Sequence, residues 1–269
     1  MTEPWEHVQW TGLIYGNPGT KKSFFGAGFP KPMKLFCFDP PAKALAYLQQ
    51  GFATGIERDD AGNMRQYVYE SVETRKRAGA EGLLIEISYF HDPIPSLLGK
   101  SKHLSGYERF QAELAQHTNE GWAGWASTLL DSYTFCELSA VRLEQYKMNP
   151  SAKDARQWYG GAKGHIQRDI MSTLIWAPCH VCVIAHVDPQ RIDLQEKQKW
   201  GISAVGTLRG DLPGAFPEVY LMYEERREKQ LFNWLMTESD GAYIAQTHIQ
   251  APNPCEPRWE ALWTNQRSL

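Results

Sequence analysis

At 269 residues with 42% hydrophobic content, the chain is long enough to bury one substantial core. Five cysteines, an odd number in a chain this long, argue against a disulfide framework, and no run approaches the roughly 18 apolar residues of a membrane span. The expectation is a soluble cytoplasmic protein with no membrane partner, and the formal net charge of -3 requires any nucleic-acid contact to come from a local basic surface.

In chain order, "GLIYG" (12 to 16), "MKLFCFD" (33 to 39), "LLIEISYF" (83 to 90), "STLLDSY" (127 to 133) and "VCVIAHV" (181 to 187) read as buried strands, short, rich in branched or aromatic residues and flanked by breakers. Residues 106 to 120 and 163 to 177 have helical length and polar faces. "EVYLMYEE", "LFNWLMTE" and "AYIAQTHIQ" follow as consecutive strands, with "SDG" at 239 to 241 as a hairpin signal. The alternation predicts an α/β fold, a mainly parallel central sheet flanked by helices with an antiparallel C-terminal extension. One domain over residues 1 to 250 and a Pro-rich, surface-wrapping extension over 251 to 269 are expected.

The stretch "GNPGTKKS" carries the chemistry. A phosphate loop needs a strand before it, a helix after it, backbone N–H groups converging on the anion, a lysine for the phosphates and a hydroxyl for magnesium. "GLIYG" supplies the strand. Gly16, Asn17, Pro18, Gly19, Thr20, Lys21, Lys22 and Ser23 then match the pattern everywhere except Lys21, which stands where such loops carry their last glycine. Because the magnesium hydroxyl directly follows the phosphate lysine, Ser23 assigns that role to Lys22. The competing reading is an Asn-Pro-Gly turn with surface lysines. A phosphate loop also calls for an apolar strand ending in an acid near the metal, and Asp131 in "STLLDSYT" meets that need.

The order of "GNPGTKKS", "MKLFCFD", "STLLDSYT", "VCVIAHV", "GTLRGDLPGAFPEVYLM" and "TESDGAYIAQTHI" resembles the RecA-like phosphate-loop ATPases, especially short phage-encoded nucleotide-binding proteins that include single-strand annealing recombinases. The resemblance implies ATP and Mg2+ as cofactors and a homo-oligomer. It places Lys22 on the phosphates, Ser23 and Asp131 around the metal, and His186 at a strand end that senses the terminal phosphate. Many relatives have a catalytic glutamate after the strand matching "MKLFCFD"; here the chain reads Asp39-Pro40-Pro41, and Asp39 is the candidate substitute. His248 stands where relatives often present a basic residue to a neighbouring subunit. These departures leave open a nucleotide-gated binding protein with negligible hydrolysis. Nucleotide kinase activity ranks last, since Arg226-Arg227 is the only adjacent arginine pair.

The resemblance also implies that the segment after the acidic strand contacts single-stranded DNA. Residues 146 to 168 carry Lys147, Lys153, Arg156 and Lys163 with Trp158, Tyr159 and a Gly160-Gly161 hinge, a combination of cations and stackable rings on a flexible loop that suits single strands. Cys179 and Cys182 have the spacing of half a zinc or redox site, but no second pair completes it, and buried thiols are the better reading.

Overall fold

The computed structural model describes residues 8–60, 62–76, 81–92, 105–191 and 198–268. The N-terminal half contains β1 (Thr11–Gly16), α1 (Lys22–Ala27), β2 (Met33–Cys37), α2 (Leu45–Leu48), β3 (Phe52–Ala53), β4 (Glu57–Arg58), β5 (Met64–Tyr69), α3 (Val72–Lys76) and β6 (Leu83–Tyr89). The chain continues through α4 (Gly106–Asn119), β7 (Ser127–Asp131), α5 (Tyr133–Leu143), α6 (Ala155–Ile166), β8 (His180–Arg191) and β9 (Gln198–Ile202). It ends with α7 (Leu208–Gly214), β10 (Glu218–Arg227), β11 (Gln230–Met236) and a 3-10 segment, Trp259–Ser268.

The sheet runs β11-β10-β1-β8-β7-β2-β6-β5-β3, with β4 on β5 and β9 on β8. The strands from β10 to β6 are parallel, and antiparallel neighbours close both edges. In this order β8 stands between the strand that enters the loop and the strand that ends in Asp131. All five predicted strands of the first two-thirds are present within a few residues of the expected bounds. Their apolar runs are buried on both faces because alternate side chains feed two separate cores. Leu13, Leu130 and Val183 pack under α4, α5 and α6, whereas Ile14, Leu129 and Ile184 pack with Phe25 of α1.

Local chemistry explains the helix that braces this sheet. Ser105 caps α4, its hydroxyl accepting from the Glu108 N–H while Glu108 returns a bond to the Ser105 N–H, a reciprocal box that satisfies two orphan donors. Lys34, fully buried in β2, is neutralised by Glu86 at 2.7 Å and by Glu113 of α4, which ties the helix to the sheet through a paired charge.

Four expectations are corrected. The hairpin turn lies between β10 and β11, where Glu228 and Lys229 both take positive φ, 45° and 73°. "AYIAQTHIQ" forms only an isolated bridge, Gln246 to Val219, because the edge of β10 is already occupied by β11. The helix expected over 163 to 177 belongs to α6, which starts at Ala155 and passes into a wider turn over Gln167–Met171. The Pro-rich extension is more than a surface wrap: Trp259 and Trp263 are buried, and the Trp259 ring lies 4.5 Å from that of Phe29. Among the described residues no helix is long and apolar enough to cross a membrane.

Candidate functional site: a lysine loop facing two carboxylates

The loop leaves β1 at Gly16 and enters α1 at Lys22. Gly19 takes φ +93°, a conformation that favours glycine. Lys21 is also left-handed, at φ 64° and ψ 28°, immediately before the helix. This backbone explains why the pattern carries glycine here: a Cβ in the left-handed region costs about 1–2 kcal/mol. The cost is carried by a side chain that stays exposed at the mouth of the loop. The N–H groups of Gly19, Lys21, Lys22, Ser23 and Phe24 have no hydrogen-bond acceptor among the described residues. They form a row of donors at the start of a helix only six residues long.

Lys22 is buried, and its ammonium donates to the carbonyls of Gly16 at 2.9 Å and Asn17 at 2.8 Å. The Thr20 hydroxyl donates to the same Asn17 oxygen at 2.9 Å and holds the turn. Burial lowers the Lys22 pKa to about 8, opposed by the charges of Asp131 and Asp39. The loop therefore keeps a readily titrated cation inside itself.

Across from it, Asp131 ends β7. The Ser23 hydroxyl donates to its Oδ2 at 2.6 Å, and the Tyr47 hydroxyl donates to the same oxygen at 2.8 Å. Asp39 lies next door because β2 and β7 run in register, Cys37 beside Asp131, and the Phe38 N–H binds the Asp131 carbonyl at 2.7 Å. Ser132 donates to Asp39 Oδ1 at 3.3 Å. Burial raises the pKa of both acids, and for Asp131 the neighbouring Asp39 charge raises it further. Two desolvated carboxylates side by side, both already accepting from hydroxyls, make a cation-seeking set of hard oxygens.

His186 lies within β8, in register with Gly16 at the point where β8 leaves its pairing with β1 and runs on to pair with β9, so the strand end expected there is a mid-strand position. Its N–H donates to Thr134 Oγ1 at 3.0 Å and its ring packs edge-on to Phe135 at 5.6 Å. Burial first, then the Lys22 charge, lowers its pKa, so the ring is neutral at pH 7 and can donate a single N–H bond.

These parts border one cavity of about 320 Å³, lined by Lys21, Lys22, Ser23, Asp39, Asp131 and His186 together with Phe24, Leu45 and Lys43. A cavity of about 620 Å³ near the chain end is larger but lined mainly by hydroxyl, carboxamide and small side chains, so size does not select the site. Two contributors escaped the sequence reading, Lys43 and Tyr47. Both lie in "PAKALAY", shortly after Asp39, on a 3-10 turn followed by a four-residue helix.

Other candidates lie elsewhere. His248 sits beside Pro217 at the start of β10, the opposite end of the sheet from the loop, and outside any strand. Cys179 and Cys182 are buried free thiols, and the described residues contain no cluster of three or more metal-ligating His, Cys, Asp or Glu side chains. Arg226 and Arg227 end β10 beside the hairpin turn, and Arg227 pairs with Glu225 at 2.8 Å.

The segment 146 to 168 departs most from expectation, being helical through α6 where a flexible loop was anticipated. Gly161 is no hinge: a Cβ there would collide with the Glu144 carboxylate packed against the helix. Lys147 pairs with Glu108 at 2.7 Å, Arg156 with Asp154 at 2.6 Å and Lys163 with Asp211 at 3.3 Å. Trp158 is half-buried and donates to the Asn149 carbonyl at 2.9 Å, while Lys153 is exposed.

No protein-family model matches the chain, and comparison with curated proteins finds no match. Among solved structures, a KaiC-like protein from the hyperthermophilic archaeon Pyrococcus horikoshii is 11% identical over 84% of this chain and 77% of that one, with a TM-score of 0.42. The flagellar accessory protein FlaH from Methanocaldococcus jannaschii is 8% identical over 84% of this chain and 76% of its own, with a TM-score of 0.38. The chemistry of the site rests on the side chains around the cavity.

Proposed function

We propose that this chain binds ATP with magnesium in the loop cavity and hydrolyses it slowly. One observation carries the reading: side chains at or just past the ends of β1, β2 and β7, with His186 from within β8, line a single cavity beside a row of free N–H donors. The donor set fits the metal, because magnesium is held by one or two protein oxygens together with substrate phosphates, and Ser23 and Asp131 present such a pair. When bound, magnesium would neutralise charge on the phosphate oxygens.

Lys22 exchanges its loop carbonyls for phosphate oxygens, and the N–H row holds the phosphates in line. His186 donates one neutral N–H bond toward the terminal phosphate. Asp39 orients a water whose oxygen bonds to the terminal phosphorus as the bond to the bridging oxygen breaks, giving ADP and phosphate, with the proton passing through Asp39 to solvent. A second reading, nucleotide-gated binding with negligible turnover, is favoured by Asp39 already accepting from Ser132. Binding of Mg-ATP by calorimetry, followed by turnover with and without single-stranded DNA, separates them: no binding removes both, and binding without turnover leaves the second.

Single-stranded DNA remains the proposed polymer partner, with assembly as a homo-oligomer and a role in phage recombination or replication resting on the sequence resemblance. Exposed Lys153, Tyr159 and Met148 on one segment support a contact there. The ion pairs of Lys147, Arg156 and Lys163 make that contact weaker than four free cations would.

A further inference from the structure

The turn after β2 brings a third lysine to the cavity. Pro40 and Pro41 fix the chain direction after Asp39, and a 3-10 turn over Pro41–Ala44 follows, closed by the Lys43 N–H on the Pro40 carbonyl at 2.8 Å. Lys43 thereby lines the cavity beside Asp39, across from the loop lysines. Its ammonium stands 5.1 Å from the centre of the Phe135 ring, the ring that also packs on His186. Lys43 has no ion-pair partner among the described residues, in contrast to Lys147, Arg156 and Lys163. Lys22 is engaged by loop carbonyls, whereas the Lys43 charge acts on Asp39 without closing an ion pair on it.

We propose that Lys43 binds the terminal phosphate of the nucleotide and makes the site selective for a nucleoside triphosphate over a diphosphate. The inference rests on the phosphate-loop reading, which puts the terminal phosphate at the end of the cavity where Asp39 and His186 meet. A cation there, steadied by an aromatic face, meets a group that only the triphosphate possesses. It also supplies from the same chain the positive charge that His248, at the far end of the sheet, cannot bring to its own loop.

The test compares wild type with Lys43→Met, which keeps length and loses charge, and Lys43→Arg, which keeps both charge and ring contact. Each is titrated calorimetrically with Mg-ATP and Mg-ADP, and each is melted without ligand. Lys43→Met should weaken ATP binding about tenfold, or ~1.4 kcal/mol, and ADP binding less than about twofold. Lys43→Arg should retain most of the discrimination. Equal weakening of both nucleotides, unchanged ATP affinity, or loss of discrimination in Lys43→Arg as large as in Lys43→Met overturns the assignment. A lowered melting temperature with an unchanged ATP-to-ADP ratio identifies Lys43 as structural only and overturns it too. Wild type that binds neither nucleotide removes the phosphate-loop reading itself, a result distinct from binding both without a contribution from Lys43.

Discussion

The loop cavity and the segment 146 to 168 were both read from the sequence as clusters of lysines with useful neighbours, yet they are physically opposite. In the cavity, Lys21 and Lys43 close no ion pair among the described residues, and buried Asp39 and Asp131 feel the charges of Lys43 and Lys22 without pairing directly with them. In the helical segment, three of the four chosen cations are already paired. The cavity holds charge in tension, whereas the segment has discharged it. Strand order explains the difference, since parallel neighbours in register deliver Gly16, Asp131 and His186 to one edge of the sheet, while composition alone cannot say what a surface lysine will meet.

The largest expected effect breaks the cavity. Lys22→Ala should weaken Mg-ATP binding about 100-fold, or ~3 kcal/mol, as two charge-assisted contacts are lost. Calorimetry checks this, and a loss smaller than that of Lys21→Ala would mean that the register of the loop is off by one residue.

A smaller effect sharpens the claim of charge in tension. Lys22 titrates near pH 8 in the free protein because burial lowers it, and phosphates that bind only its charged form raise it again. Binding should take up a proton above pH 8, and affinity should fall by about tenfold per pH unit there. Stability runs the other way: the unfolded lysine binds more protons than the folded one between pH 8 and its ordinary value near 10.5, so the ligand-free fold gains stability as pH rises through that window. Heats measured in buffers of different ionisation enthalpy read the uptake, and a flat affinity from pH 7 to 9 refutes it. Asp131→Asn belongs at the same scale, weakening binding about tenfold with magnesium and little without it. An equal loss in both conditions would make Asp131 structural.

What was legible follows from these contrasts. Asp131 could be found because it ends an apolar strand, His186 because it closes the apolar run of β8, and the loop because its residues are contiguous. Lys43 and Tyr47 were not, since they sit on a 3-10 turn and a helix of four residues, too short for periodicity to register. The edge strands β3 and β4 have two residues each and left no pattern. Gly160-Gly161 read as a hinge because nothing in the sequence shows that Glu144 lies against Gly161.

The segment yields a lesser effect. With Lys147, Arg156 and Lys163 paired, Lys153 is the readily available phosphate contact, and the log-log salt slope for single-stranded DNA should be near -0.7. Four free cations would give roughly -3. Fluorescence anisotropy over several salt concentrations decides between them, and a steep slope would show that the ion pairs open for DNA.

The smallest effect concerns the residue that first made the loop irregular. Lys21→Gly removes the Cβ from a left-handed position, which relieves strain, but it also frees the unfolded chain and deletes a cation. The net stability change should be a gain of about 0.5–1 kcal/mol, because the conformational relief exceeds the entropy glycine adds in U. Lys21→Ala keeps the Cβ and the unfavourable φ, so it should give no such gain while losing the same charge. The pair therefore separates backbone from side chain. If both variants weaken Mg-ATP binding by the same small factor, the lysine contributes only charge at the mouth of the loop. If Lys21→Gly binds more tightly than Lys21→Ala, the left-handed turn itself limits how closely the N–H donors approach the phosphates. Denaturant unfolding beside calorimetry reads both quantities, and Lys21→Gly no more stable than Lys21→Ala would show that the loop's φ of 64° carries no strain.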